Sequence, residues 1–207
     1  MSDLEPEPHE AAALFGDRID VARAFVAALA EHGEERGLIG PLELPRLWTR
    51  HVLNSVIAAP LFSGRVGDVG SGAGLPGLVL AIARPDVDWV LIEPMERRVA
   101  WLDEQVAGLK LDNVEVVRAR AEDWRRGRVL DAATAREVSA LRTLIPITAP
   151  LVRDGGQLIL LKGGNADAEI AAAEKQIRKF RLSDVKVTVL GEGVIAEPTR
   201  VVTATVR

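Results

Sequence analysis

From Ser63 onward the chain alternates short apolar strands with helical segments, and near its end the alternation stops. Candidate strands cover 65–69 (RVGDV), 88–93 (DWVLIE), 114–118 (VEVVR), 130–135 (LDAATA) and 156–162 (GQLILLK). Helical spacing fills 77–83, 95–109, 140–152 and 166–180. This grammar implies right-handed crossovers and a parallel sheet covered on both faces. Strands 184–190 (DVKVTVL) and 200–206 (RVVTATV) have only a Gly/Pro-containing loop between them, so they are expected to pair antiparallel. The expected fold class is α/β: a Rossmann-like, seven-stranded, mostly parallel sheet with a C-terminal antiparallel hairpin.

Ahead of the sheet, apolar residues recur at helical spacing over 10–32 and again over 45–62. These segments form an N-terminal helical cap, 10–62, on a main domain, 63–207. Residues 1–9 read as a flexible acidic tail. A chain of 207 residues, 48% hydrophobic and 27% charged, suits one domain with a small appendage. The net charge is −4, but Asp3, Glu5, Glu7 and Glu10 supply that excess, so the remainder is balanced and a nucleic-acid partner stays open. With no cysteine there is no disulfide and no thiolate metal site; no metal is expected. No apolar run approaches the length of a membrane span, the N-terminus lacks a basic leader region, and the cytoplasm is the expected compartment.

The first strand runs into VGDVGSGAGLPG, Val66 to Gly77. This turn lies at the carboxyl edge of the sheet, where open α/β folds bind ligands. Gly70, Gly72 and Gly74 allow positive φ and close backbone approach, and the helix opening at Pro76–Gly77 aims amides at the same place. In one frame Gly72, Gly74 and Gly77 fit the dinucleotide fingerprint G-x-G-x-x-G. In the other, Asp68 to Gly72 gives D-x-G-x-G, the form of motif I in S-adenosylmethionine-dependent methyltransferases, where the strand acid fixes the loop and the cofactor ammonium. Glu93 ends the second strand, where a carboxylate accepts from vicinal ribose hydroxyls; it also suits a helix N-terminus. Both cofactors carry such a ribose. After the third strand, Ala121 and Glu122 lie where backbone groups read an adenine edge, with Glu122 or Asp123 accepting from its amine; capping is the other role open to Asp123. An ordinary dinucleotide fold ends in a sixth parallel strand. The terminal hairpin is instead the architecture of the class I methyltransferases.

Six stretches carry a closer resemblance: RHVLNS (50–55), DVGSGAGLPGLVLAIARP (68–85), RRVAWL (97–102), LDNVEVVRARAED (111–123), AREVSAL (135–141) and LLKGG (160–164). Together they make the chain similar to the small-subunit ribosomal RNA guanine-N7 methyltransferases, the glucose-inhibited division protein B family. The resemblance implies transfer of a methyl group from S-adenosyl-L-methionine to N7 of one guanine in the decoding region of 16S rRNA. It implies cofactor contacts at Gly70, Leu75, Ala121, Glu122 and Arg136. The rRNA is expected naked, in the 30S subunit or in its precursor, with the protein a monomer. Three positions depart from the family pattern: Gly67 replaces an aliphatic in strand one, Glu137 follows Arg136, and EPTR precedes the last strand.

The residue inventory fits this chemistry. Guanine N7 has a free lone pair and no proton, so alignment, rather than a general base, carries the reaction. The chain has only three histidines, no obvious nucleophile–base pair and no N/D-P-P-Y/F tetrapeptide, and its lack of cysteine excludes covalent cytosine-C5 chemistry. Arg136, at the end of strand four, suits either the cofactor carboxylate or the RNA, as a positioning group. Candidate RNA contacts are Arg50, His51 and Asn54 on the second cap helix, Arg97 and Arg98 after strand two, Lys162 at the end of strand five, and Arg200. Arg46 shares a face with His51. WRRGR (124–128) reads as a solvated loop, and Trp48 as core or as a stacking platform.

Overall fold

The computed structural model describes residues 4–124, 127, 129–136 and 139–207; Glu137 and three arginines of the WRRGR run lie outside the described residues. In chain order the helices are α1 (Glu10–Phe15), α2 (Ile19–His32), α3 (Asn54–Val56), α4 (Gly77–Ala83), α5 (Glu96–Gly108), α6 (Leu141–Thr148), α7 (Ala166–Ala172) and α8 (Glu174–Lys179). The strands are β1 (Arg65–Val69), β2 (Asp88–Glu93), β3 (Val114–Arg118), β4 (Leu130–Arg136), β5 (Val152–Lys162), β6 (Ser183–Leu190) and β7 (Thr199–Thr205). They form one seven-stranded sheet in the order β3-β2-β1-β4-β5-β7-β6. Strands β1 to β5 pair parallel, and β7 pairs antiparallel with both β5 and β6. The alternating grammar and the terminal hairpin therefore fold as the sequence implies.

The apolar runs are buried on both faces. On one face Val66, Trp89, Leu91, Ile159 and Leu161 join the cap residues Phe25, Leu29, Leu47, Val52 and Phe62 in a single cluster with α4. On the other, Val90, Ile92, Leu158 and Leu160 pack with Leu144 and Ile145 of α6. The cap thus shares one core with the sheet.

Gly67, the departure in strand one, has a partner. A Cβ built there falls 2.5 Å from Leu130 Cδ1, and Leu130 is itself wholly buried. The leucine of neighbouring β4 occupies the volume an aliphatic at 67 would take, so the strand glycine leaves no void.

Four helical segments are shorter or more broken than their spacing implies. The first is split at Gly16, which sits at φ +53. The stretch 45–62 is a chain of short turns: a 3-10 turn Leu44–Arg46, a π-helix Leu47–Leu53, α3, and a 3-10 turn Ala59–Leu61 beginning beside Pro60. Pro150 turns the end of the third into a 3-10 segment, Ala149–Leu151, so that β5 starts at Val152. The fourth bends at Ala173. The acidic tail is tied down from Leu4: Glu5 N–H donates to Leu44 O, Glu5 Oε2 accepts from Thr49 N–H, and Glu7 takes both Nε and Nη2 of Arg23. Backbone pairing and a bidentate arginine hold a segment whose composition alone reads as solvated.

Candidate active site

A cavity of about 580 Å³ opens beyond the carboxyl ends of β1, β2 and β4. Its floor is the turn after β1. Gly70, Gly72 and Gly74 take φ of +75, +56 and +93, conformations that side chains disfavour. The turn is pinned from three sides. Gly70 and Ser71 N–H donate to Ile92 O on β2, Ser71 Oγ donates to the Asp68 carbonyl, and Trp101 Nε1 of α5 donates to Ala73 O at 3.0 Å. A rigid glycine cradle beside a cavity of this size fits a nucleoside cofactor.

Glu93 forms one wall, only 2% exposed. Its Oε2 accepts from Gly72 N–H and its Oε1 from Met95 N–H, both at 2.9 Å. Each oxygen keeps a second lone pair, which leaves acceptors for a diol. Arg98 Nη1 stands 4.0 Å from Glu93 Oε2, and Arg98 Nε is buried without a hydrogen-bond partner. Leu75 lines the same cavity.

Asp68 is behind the cradle, not in it. It is fully buried, absent from the cavity lining, and its Oδ2 accepts from Gly77 N–H at 3.0 Å. The strand acid thus fixes the turn from inside, and the first amide of α4 donates to that acid where an amide aimed at the cavity was expected. Gly77 permits this: a Cβ there would stand 2.4 Å from Asp68 Oδ2. Burial pushes the Asp68 carboxyl up to about 7, with Glu93 adding to the rise and the Gly77 amide and Arg136 opposing it. Its ordinary value is 3.8, so between 3.8 and about 7 the folded protein holds a proton that the unfolded chain has released. Stability therefore falls as pH rises through that window, by at most about 1.4 kcal/mol per unit. Asp68→Asn carries no such charge. Thermal melts from pH 4.5 to 7.5 are expected to shift in the variant's favour relative to wild type; a constant difference would contradict the assignment.

Arg136 ends β4 and lines both this cavity and a second of about 190 Å³. Its Nη1 donates to His51 O at 3.0 Å and to Ser55 Oγ at 3.1 Å, and its Nη2 meets His51 Nδ1. The second cavity is lined by Arg50, Asn54, Lys162, Glu197 and Arg200 among others, and Asn54 Oδ1 is buried there without a hydrogen-bond partner. Arg50 also borders both cavities.

The remaining expected residues fall elsewhere. Ala121 and Glu122 sit in a 3-10 turn after β3 and are not among the lining residues, Ala121 buried and Glu122 exposed. Arg97 is exposed, with its guanidinium beside Gly37. Lys162 reaches the second cavity, but its Nζ lies 2.8 Å from Glu169 Oε2 and donates to Ser139 O, which neutralises the charge expected to face RNA. Trp48 is in the core, 3% exposed, and offers no stacking face. Glu43 was not singled out from sequence. It lies in the aperiodic stretch 37–44, and only its three-residue spacing to Arg46 signals it. Among the described residues no cluster of metal-ligating side chains occurs, and no helix is long and apolar enough to cross a membrane.

A hairpin-ended doubly wound sheet with this cradle defines a class I, S-adenosylmethionine-dependent methyltransferase. Solved structures of that class share the fold: cofactor-bound Rv0187 from MTB (TM-score 0.59, 19% identity, 89% of this chain and 90% of that one) and tRNA (m1A58) methyltransferase TrmI from Aquifex aeolicus (TM-score 0.58, 15% identity, 74% and 68%). The family model for rRNA small subunit methyltransferase G, GidB, matches residues 18–198, and the chain belongs to that family. It is 67% identical over 209 residues to the ribosomal RNA small subunit methyltransferase G of Leifsonia xyli, covering all of both chains, and 45% identical to that of Corynebacterium glutamicum over 94% of this chain and 90% of the relative.

Proposed function

We infer that this protein methylates N7 of one guanine in the decoding region of 16S rRNA. The observation that carries the reading is the placement of Arg136, which with Arg50 borders both the glycine-cradled cavity and the smaller basic one and stands at the end of β4. When bound, S-adenosylmethionine supplies an electrophilic methyl group on a sulfonium. Glu93 would hold its ribose, the Gly70–Gly74 turn and Leu75 its amino-acid half, and Arg98 and Arg136 its carboxylate end. Ala121 and Glu122 remain candidates for the adenine edge.

At the acceptor side, Arg50, Asn54 and Arg200 would orient the nucleotide and Arg136 would fix it against the cradle. Guanine N7 has no proton to lose, so no side chain need act as a base; the residues align and exclude water. The substrate is rRNA, free or within the 30S subunit or its precursor, and the protein acts as a cytoplasmic monomer. An oxidoreductase reading through the G-x-G-x-x-G frame lacks support, because the sheet ends in an antiparallel hairpin. Calorimetry separates the two: S-adenosylhomocysteine is expected to bind and NADH not to, and the reverse would overturn the reading.

A further inference from the structure

We propose that Glu43 and His51 form a relay that sets the position of Arg136 for methyl transfer; this rests on the reading above. The relay is read from hydrogen-bond polarity. A guanidinium has only donors. Because Arg136 Nη2 meets His51 Nδ1, that nitrogen must be the acceptor and carry no proton. The ring proton then sits on Nε2, which donates to Glu43 Oε2 at 2.5 Å. Glu43 thereby selects the tautomer that can receive the arginine, as a carboxylate does for an imidazole elsewhere.

The anchor is buried and shared. The His51 side chain is 9% exposed. Glu43 Oε1 also takes Arg46 Nη2 at 2.6 Å, and Arg50 Nε stands 3.9 Å from Oε2. Three side chains from the cap, Arg46, Arg50 and His51, thus converge on one carboxylate, and the far end of the chain is the Arg136 guanidinium at the junction of the two cavities. His51 O and Ser55 Oγ take Nη1 from the same cap segment. Three acceptors in fixed positions leave the planar fork one orientation. Arg50 and His51 both lie in the π-helical turn Leu47–Leu53, and wide turns of this kind recur at functional sites. His51 is therefore a positioning residue that acts through Arg136.

The test uses two amides. Asn places its oxygen where imidazole has Nδ1, so His51→Asn keeps an acceptor for Arg136. Gln places its polar atoms near Nε2, so His51→Gln keeps the Glu43 contact and loses the arginine. His51→Gln and His51→Ala are expected to lower kcat by about a hundred-fold with little change in KM for rRNA, and His51→Asn to restore kcat to within about ten-fold of wild type. Nitrogen-15 spectra of histidine-labelled protein without ligand provide a readout independent of turnover. They are expected to show His51 neutral, protonated on Nε2, at neutral pH, and its Nδ1 resonance is expected to move in Arg136→Ala. A doubly protonated or Nδ1-protonated His51, or equal losses in the Asn and Gln variants, would overturn the proposal. Wild-type protein that methylates no rRNA, yet shows the expected tautomer, would overturn the functional reading and leave the geometry of the relay intact.

Discussion

Arg136→Ala is expected to lower methyl transfer to 16S rRNA by about a hundred-fold or more while leaving the fold nearly unchanged. The small structural cost follows from what the arginine leaves behind. Its main-chain acceptor, His51 O, keeps the hydrogen bond from Ser55 Oγ at 2.6 Å, so that pair stays satisfied without the guanidinium. Loss of the remaining hydrogen bonds from a half-buried side chain amounts to about 1–2 kcal/mol. The functional loss is larger because Arg136, at the end of β4, lines both cavities. Arg136→Lys retains the charge without the planar fork, and an intermediate rate is expected. Turnover with methyl-labelled cofactor and a thermal melt on the same preparation check this. Normal turnover with a large drop in melting temperature would make the residue structural.

Gly72→Asp is expected to abolish cofactor binding and spare the fold. Aspartate tolerates a left-handed backbone better than most residues, and Gly72 sits at φ +56. A Cβ at this position meets nothing nearer than Gly70 O at 3.8 Å and Arg98 Nη1 at 3.9 Å. The new carboxylate therefore fits the protein, on the residue whose amide Glu93 Oε2 takes and with Arg98 Nη1 as the nearest side-chain atom. It would occupy the space beside the ribose position and add a negative charge where a buried one already stands. The expected loss in affinity for S-adenosylhomocysteine is about a hundred-fold, near 3 kcal/mol, read by calorimetry, with a melting temperature close to wild type. Wild-type affinity would remove the turn from the cofactor site. Gly74 and Gly77 would not serve, since a Cβ at either strikes a buried side chain within 2.5 Å and confounds folding with binding.

The sheet was legible because its central strands β1, β2 and β4 and the second half of β5 are buried on both faces, which turns them into apolar runs with clear ends. The cradle was legible for a related reason: glycines at positive φ and an acid at the end of β2 occupy fixed register positions on that sheet. What the sequence left hidden depends on contacts made at a distance. Leu130 explains Gly67 from 63 residues away, and Glu43 joins Arg136 only through a π-helical turn that periodicity reads as ordinary helix. The orientation of Asp68 was hidden as well. The same D-x-G-x-G spacing serves an acid facing a ligand or one facing a helix amide, and the missing Cβ of Gly77 decides between them. Lys162 shows the opposite error, in which a cation at the active edge is neutralised by Glu169 from α7.

The central claim is the position of the methyl group, and one measurement addresses it directly. Purified protein is incubated with methyl-labelled S-adenosylmethionine and 30S subunits from cells lacking this gene, and the 16S rRNA is then cleaved chemically at N7-methylguanine. One labelled guanine in the decoding region is the expected result. Label confined to another base, to another guanine atom, or absent from 16S rRNA would contradict the account.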